Sequence, residues 1–253
     1  MDFYESQPLV EQYLLFHYGE RKDIIPYEFG PTDATGYPVR SVQAGIDSQL
    51  HYPVGRALDL GCAVGRSTFE LAKFAGEVIG IDSSNAFIDA AKRIREQGQL
   101  AYSHQIEGDI RAQCVARRPP VDDGRRVHFE VGDAMNLRDD LGEFDIVHMA
   151  NLIDRLAEPA KCLEQLPRLV TAGGQLIIAS PYSWLEEFTP KANWIGGIVR
   201  DNQPLTTLEG LRQTLQPAFE LAHCIDLPFL LRLHARRFEW TVAQLTSWRR
   251  AAH

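Results

Sequence analysis

A chain of 253 residues, 45% hydrophobic and 24% charged, is long enough to bury one sizeable α/β core. Its net charge of −8 argues against a nucleic-acid backbone as the main partner, because phosphate contacts need clustered Lys and Arg, and the pairs Arg117–Arg118, Arg125–Arg126, Arg236–Arg237 and Arg249–Arg250 are short and scattered. No apolar run approaches the roughly 18 residues of a membrane span, and the N-terminus MDFYESQPLVEQ carries acids where a secretory leader starts basic, so a cytoplasmic setting is expected.

In chain order, ESQPLVEQYLLFHYG places Leu9, Tyr13 and Phe16 on one helical face and ends at Gly19. IIPYEFGPTDATGYPVR, rich in Pro and Gly, reads as a loop. From Arg56 the chain alternates. RALDL is a short buried strand and GRSTFELAKFAG a helix closed by Gly76. EVIGID is a strand, and SNAFIDAAKRIREQG a helix capped by Ser83 or Ser84 and ended by Gly98. RVHFEVGD and EFDIVHMA are strands, EPAKCLEQLPRLV one helix, and GGQLIIASP a strand. Apolar strands alternating with helices predict a parallel sheet covered on both faces.

Residues 99–125 are long for a helix-to-strand connection. Residues 181–204 are also long and carry Tyr182, Trp184 and Trp194, as a substrate-side lid would. TTLEGLRQTLQP reads as a helix, and FELAHCIDL with RRFEWTVAQLTSW as a closing strand pair. The expected organisation is a single domain: a helical and loop cap over 1–55, a ligand-binding core over 56–180, an insertion over 181–204, and a C-terminal helix and strand pair over 205–253.

The four cysteines, Cys62, Cys114, Cys162 and Cys224, have no C-x-x-C spacing. The histidines show no ligand pattern either, and His128 and His148 read as sheet residues. No metal is expected.

In an open parallel sheet, ligands bind beyond the carboxyl ends of the strands, where strand order reverses. The first strand ends in DLGCAVG, and its glycines let backbone approach a ligand. The second strand ends at Asp82, where a carboxylate can accept from both ribose hydroxyls of an adenosine. VGDAMNL then offers Asp133 to an adenine amino group and the Ala134 N–H to a ring nitrogen. The turn is G-x-A-x-G and lacks the third glycine of a dinucleotide loop, which disfavours a nicotinamide dehydrogenase.

The series LDLGCAVG, VIGID, GDA and FDIVHMANLI over residues 56–180 resembles the class I S-adenosylmethionine-dependent methyltransferases. The resemblance implies a Rossmann-like α/β fold: a seven-stranded, mostly parallel sheet with helices on both faces and an antiparallel C-terminal strand. It implies S-adenosylmethionine as cofactor and S-adenosylhomocysteine as product. By the same resemblance, Asp59 organises the first loop and reaches the methionine amino group, directly or through water. Gly61, Cys62, Ala63 and Gly65 form the wall beside methionine and ribose. Asp82, with Ser83, holds the ribose, and Asp133 and Ala134 read adenine. Ala150, Asn151 and Leu152 face the amino-acid end and the transferred methyl. YPVRSV resembles a segment whose arginine pairs with the cofactor carboxylate, which assigns that role to Arg40; the alternative is a surface ion pair.

Outside those motifs, YESQPLVEQYLLFHYG, NLIDRL and SPYSWLEEFTPKANWIGG resemble the 4-mercaptohistidine N1-methyltransferase family of ovothiol biosynthesis. With no sulfoxide synthase portion, the chain would be the stand-alone form, methylating 5-thiohistidine to ovothiol A. Its partners would be small molecules, with no nucleic acid and no membrane, in a monomer or homodimer. Imidazole is about half protonated near pH 6.5, so a strong base is not obligatory. Selecting one ring nitrogen needs an acceptor for the N–H of the other. Asn151, Asp154 and Tyr182 are the catalytic candidates for that task, with Glu186 able to serve as well. Tyr18, Tyr37, Trp184 and Trp194 could wall the ring and attract the sulfonium, Arg155 or Lys191 could pair with a carboxylate or thiolate, and His17 could relay a proton. Each has a plainer alternative: Tyr18 and Trp184 as packing, His17 as a structural histidine, and one of Glu186 and Glu187 as solvated surface. Two other activities compete: methyl transfer to another small amine, thiol or hydroxyl compound, and a non-catalytic binding subunit on the same fold.

Overall fold

Proline and glycine placement sets the N-terminal elements. The computed structural model describes residues 3–48, 51–120 and 125–252; part of the expected cap and residues 121–124 of the expected 99–125 connection lie outside them. A 3-10 turn at Phe3–Glu5 leads into α1 (Gln7–Tyr18), whose Pro8 sits in the first turn, where a missing N–H costs nothing. Gly19 ends the helix as expected. The stretch read as loop is only partly so. It begins on the last residue of α2 (Arg21–Ile24), contains a 3-10 turn at Thr32–Ala34 and runs into the start of α3 (Tyr37–Gly45). Pro38 too occupies a first helical turn, entered through a left-handed Gly36.

The core then alternates as β1 (Val54–Leu60), α4 (Arg66–Leu71), β2 (Ala75–Asp82) and α5 (Asn85–Gln97). Ser84 caps α5 by accepting the Phe87 N–H at 3.1 Å, and left-handed Gly98 ends it. α4 stops five residues short of Gly76. The Lys73 and Phe74 amides tighten onto the Glu70 and Leu71 carbonyls, and the Val54 amide draws the Phe74 carbonyl into the sheet, so Gly76 lies within β2. The expected connection after Gly98 is an antiparallel hairpin, β3 (Gln99–Glu107) and β4 (Ile110–Arg117). Its period-2 pattern was present in the sequence: Leu100, Tyr102 and His104 alternate inward.

β5 (Val127–Val131) and β6 (Phe144–Ala150) follow. The single helix expected next is two short ones, α6 (Pro159–Leu163) and α7 (Leu166–Leu169), because Pro167 cannot supply the amide a continuous helix needs. After β7 (Val170–Ser180), the 181–204 segment holds a 3-10 turn at Lys191–Asn193 and begins a small hairpin, β8 (Ile198–Arg200) and β9 (Gln203–Leu205). α8 (Thr207–Leu215) opens with a Thr206/Glu209 capping box. The closing strand pair, β10 (Phe219–His234) and β11 (Arg237–Arg250), is longer than its sequence signal.

The main sheet has seven strands in the order β10-β11-β7-β6-β1-β2-β5, with β11 antiparallel to both its neighbours. One face packs Val78, Ile146 and Ile177 under α1, α3, α4 and α5; the other packs Leu58, Val147 and Ile178 under α6, α7 and α8. From β1 the order runs outward to β2 on one side and to β6 on the other, so strand order reverses there. The carboxyl ends of β1, β2, β5 and β6 meet at one edge, as a ligand crevice requires.

Candidate functional site

The loop after β1 is fastened to the tip of β2. Gly61, Ala63 and Gly65 are all left-handed, with φ of 76°, 46° and 86°, and for alanine that conformation is strained. The strain is held by Asp82, whose Oδ2 accepts the Ala63 amide at 2.9 Å and whose Oδ1 accepts the Ser84 amide at 3.0 Å. Burial pushes the Asp82 carboxyl above the usual carboxylate range, against those two donors. At the end of β5, Asp133 turns its Oδ1 onto the Met135 amide at 2.8 Å, and Ala134 is buried beside it.

Asp59 differs from expectation. Its carboxylate points into the protein, with Oδ1 2.8 Å from His148 Nδ1 and Oδ2 accepting from the Ser67 and Thr68 hydroxyls at 2.7 Å each. Burial works to raise this carboxyl, but the His148, Thr68 and Ser67 contacts outweigh it and hold it below the usual range. On the far side of the ring, His148 Nε2 is 3.1 Å from Ser41 Oγ on α3. This Asp–His–Ser series looks like a hydrolytic triad, yet Ser41 is fully buried and outside the cavity wall. It is a strut joining β1, β6 and α3. His148 is the strand residue expected, with this added contact.

At the end of β6, Asn151 is left-handed (φ 53°), and its Oδ1 accepts from the Tyr37 hydroxyl at 3.0 Å. Asp154 follows in the 3-10 turn Ile153–Arg155. Its Oδ2 accepts the Ser183 amide at 2.8 Å, while Oδ1 has no protein partner although the residue is 1% exposed. Arg155 donates to the Ser183 carbonyl at 3.3 Å and lies 4.8 Å over the Phe188 ring.

These tips bound a cavity of about 830 Å³. Gly61, Ala63, Asp82, Ser83, Asp133 and Ala134 line one side; Ala150, Asn151, Asp154 and Arg155 line another. His17 and Tyr37 reach it from α1 and α3. Several expected residues do not reach it. Cys62 and Gly65 lie behind the loop: burial drives the Cys62 thiol up, and a Cβ on Gly65 would meet the Phe129 ring at 2.5 Å, so that glycine serves packing. Arg40 donates Nε to the Thr35 carbonyl at 2.9 Å and Nη2 to Pro228, away from the cavity. The Tyr18 hydroxyl is tied to the Val64 carbonyl at 2.8 Å, and the Tyr182 hydroxyl to Gln244 at 3.1 Å. Trp184 bonds Thr207 at 2.9 Å and stacks on Trp194, which also lies under Lys191. Glu187, not Glu186, lines the wall.

Other lining residues had no assigned role. Tyr13 belongs with Phe16 and His17 on one face of α1 and packs at a tilt against Phe87, ring centroids 4.7 Å apart; the i, i+3, i+4 spacing was the available signal. Ser67 follows from the loop. Phe229 and Glu239 arrive from the β10–β11 hairpin, outside every quoted cofactor and acceptor motif, with no local signal. Five acids line the cavity (Asp82, Asp133, Asp154, Glu187 and Glu239), against Arg155 as the one Arg or Lys among the described residues. That balance suits a cationic ligand. Among the described residues no His, Cys, Asp or Glu group is placed to hold a metal ion, and no helix is long and apolar enough to cross a membrane.

Sheet order, the single antiparallel strand and the crevice at the reversal define the Rossmann-like class I methyltransferase fold. Residues 58–178 match the family model described as a methyltransferase domain. The ubiquinone biosynthesis O-methyltransferase of Coxiella burnetii is 26% identical over 135 residues, covering 53% of this chain and 47% of that relative. The chloroplastic tocopherol O-methyltransferase of Arabidopsis thaliana is 26% identical over 139 residues, 54% of this chain and 33% of its own. The chain thus spans at most about half the length of these curated relatives. Among solved structures, the N-methyltransferase NodS from Bradyrhizobium japonicum, in complex with S-adenosylhomocysteine, aligns with a TM-score of 0.54 at 14% identity, over 97% of this chain and 98% of its own. At that identity the likeness concerns the fold.

Proposed function

We propose that the protein is an S-adenosylmethionine-dependent N-methyltransferase that acts on an imidazole nitrogen of 5-thiohistidine, yielding ovothiol A and S-adenosylhomocysteine. The observation that carries the cofactor reading is Asp82. Its carboxylate lies at the tip of β2 in the cavity wall, braced by the Ala63 and Ser84 amides, with lone pairs left for two ribose hydroxyls. Asp133 and Ala134 stand one strand further out, where an adenine attached to that ribose would lie. An adenosyl sulfonium therefore fits the donor set, the acidic lining and the glycine-bearing loop.

When bound, the cofactor supplies an electrophilic methyl group. The chain's own residues have to align the acceptor with it and exclude water. Asn151, Asp154 and Arg155 hold the acceptor side. Asp154, with one oxygen fixed by Ser183, accepts the N–H of the imidazole nitrogen that is not methylated, and so selects the tautomer. Arg155 meets the acceptor's carboxylate or thiolate. The acceptor reading is supported by the segments quoted for the mercaptohistidine resemblance: NLIDRL contributes Asn151, Asp154 and Arg155 to the cavity, and SPYSWLEEF contributes Ser183, Glu187 and Phe188.

A second acceptor class, a small hydroxyl compound, is favoured by the names of the curated relatives, both O-methyltransferases. Incubation with S-adenosylmethionine and a panel of 5-thiohistidine, histidine, ergothioneine and a catechol, read by mass spectrometry, separates the two. A methylated product from 5-thiohistidine is expected. Methylation of the catechol alone would replace this acceptor.

A further inference from the structure

We infer that His17 seats the carboxylate at the methionyl end of the cofactor through its Nε2–H, an inference that rests on the S-adenosylmethionine reading above. Sheet order gives the direction. With ribose at Asp82 on β2 and adenine at Asp133 beyond β5, the methionyl end runs the other way, toward the tips of β1 and β6. His17 lies at that end. It lines the cavity from α1, and the charges of Asp59 and Arg66, which flank the β1 loop, both act on it.

The groups expected to serve there are committed elsewhere. Arg40 is bound to two backbone carbonyls outside the cavity, and both oxygens of Asp59 are taken by His148, Ser67 and Thr68. The Ser67 hydroxyl spends its proton on Asp59, so toward the cavity it offers only lone pairs, which suit the methionyl ammonium and not the carboxylate.

The imidazole is constrained in the complementary sense. Its Nδ1 is buried with no hydrogen-bond partner, while the side chain as a whole is only half-buried, so contact with the cavity falls to the Nε2 edge. A buried lone pair without a partner costs less than a buried N–H without one, which places the ring proton on Nε2. Burial holds the ring neutral, pushing its pKa down to about 3, so the donor persists across the physiological range. A neutral N–H aimed at the cavity selects an anionic acceptor, and on an adenosyl-methionyl ligand that is the carboxylate.

The test compares two probes, S-adenosylhomocysteine and 5′-methylthioadenosine, which keeps the adenosyl group and lacks the amino-acid end. His17→Phe is expected to weaken S-adenosylhomocysteine about tenfold and leave methylthioadenosine within about twofold. His17→Gln, whose amide nitrogen can take the Nε2 position, is expected to restore most of the affinity; His17→Asn, which mimics Nδ1, is not. Equal loss of both probes, no loss of either, or identical behaviour of Gln and Asn would overturn the assignment. Failure of the unaltered protein to bind either probe would instead remove the cofactor reading itself.

Discussion

Asp59 and Asp82 end neighbouring strands, yet their surroundings push them in opposite directions. Asp59 is held low by His148 and two hydroxyls that outweigh burial, whereas burial wins at Asp82 and raises it. In the proposed ribose contact the Asp82 carboxylate is ionised and accepts from both hydroxyls. A raised pKa means that it takes up a proton on acidification before an ordinary aspartate does. Affinity for S-adenosylhomocysteine is therefore expected to fall on acidification, at a higher pH than an ordinary aspartate would dictate, and Asp82→Asn should bind more weakly with a flat profile. An Asn variant retaining the wild-type profile would contradict this. Asp154 offers a separate test, because it stands on the proposed acceptor side with one oxygen unpartnered. Asp154→Asn is expected to lower kcat/KM for 5-thiohistidine by about 100-fold while the S-adenosylhomocysteine Kd stays within about twofold. Equal losses in both would assign Asp154 to the cofactor side. At this scale the sequence was informative where placement at the cavity follows from strand position, as at Asp82, Asp133 and Asn151. It was silent where a side chain's direction depends on distant partners. Asp59 turns inward because Ser67 and Thr68, in the first turn of α4, and His148, 89 residues away in sequence, all meet its carboxylate. Arg40 turns outward because β10 presents the Pro228 carbonyl.

Elements differ in how far local chemistry specifies them. The Ser84 cap, the Gly98 terminator and the Thr206/Glu209 box are encoded within a few residues, and α5 and α8 form as expected. The β3–β4 hairpin and the length of β10 and β11 depend on what they pack against: β3 lies on α1 and α5, and β10 on α1 and α3. The 181–204 segment is less loop-like than its composition. Trp184 and Trp194 stack, Trp184 bonds Thr207, and the backbone of Ile195 lies directly on α8. A Cβ at Gly210 would fall 1.7 Å from the Ile195 carbonyl oxygen, closer than any side-chain adjustment can relieve. Gly210→Ala is thus expected to destabilise the fold by about 3 kcal/mol in urea unfolding, with the S-adenosylhomocysteine Kd of the folded protein within about twofold, since neither residue lines the cavity. Wild-type stability in this variant would mean that α8 and the segment are not in contact.

Across the whole molecule, alternating strands and helices made the α/β sheet legible, because the central strands β1, β2, β6 and β7 carry continuous buried runs and α5 and α8 are bounded by their own signals. The cavity was legible on the side built by strand tips. The opposite wall, from α1 and the β10–β11 hairpin, exists only once the chain ends fold back over the sheet. It brings aromatic rings and Glu239 to a cavity already rich in acids, a lining that suits the sulfonium proposed above. The central claim is that the tips of β1, β2 and β5 grip an adenosyl sulfonium. Calorimetric titration of S-adenosylhomocysteine into the wild type and Asp82→Ala tests it most directly. One-to-one binding by the wild type, weakened at least about 100-fold in Asp82→Ala, is the expected result. No heat with the wild type, or an unchanged isotherm in the variant, would contradict it.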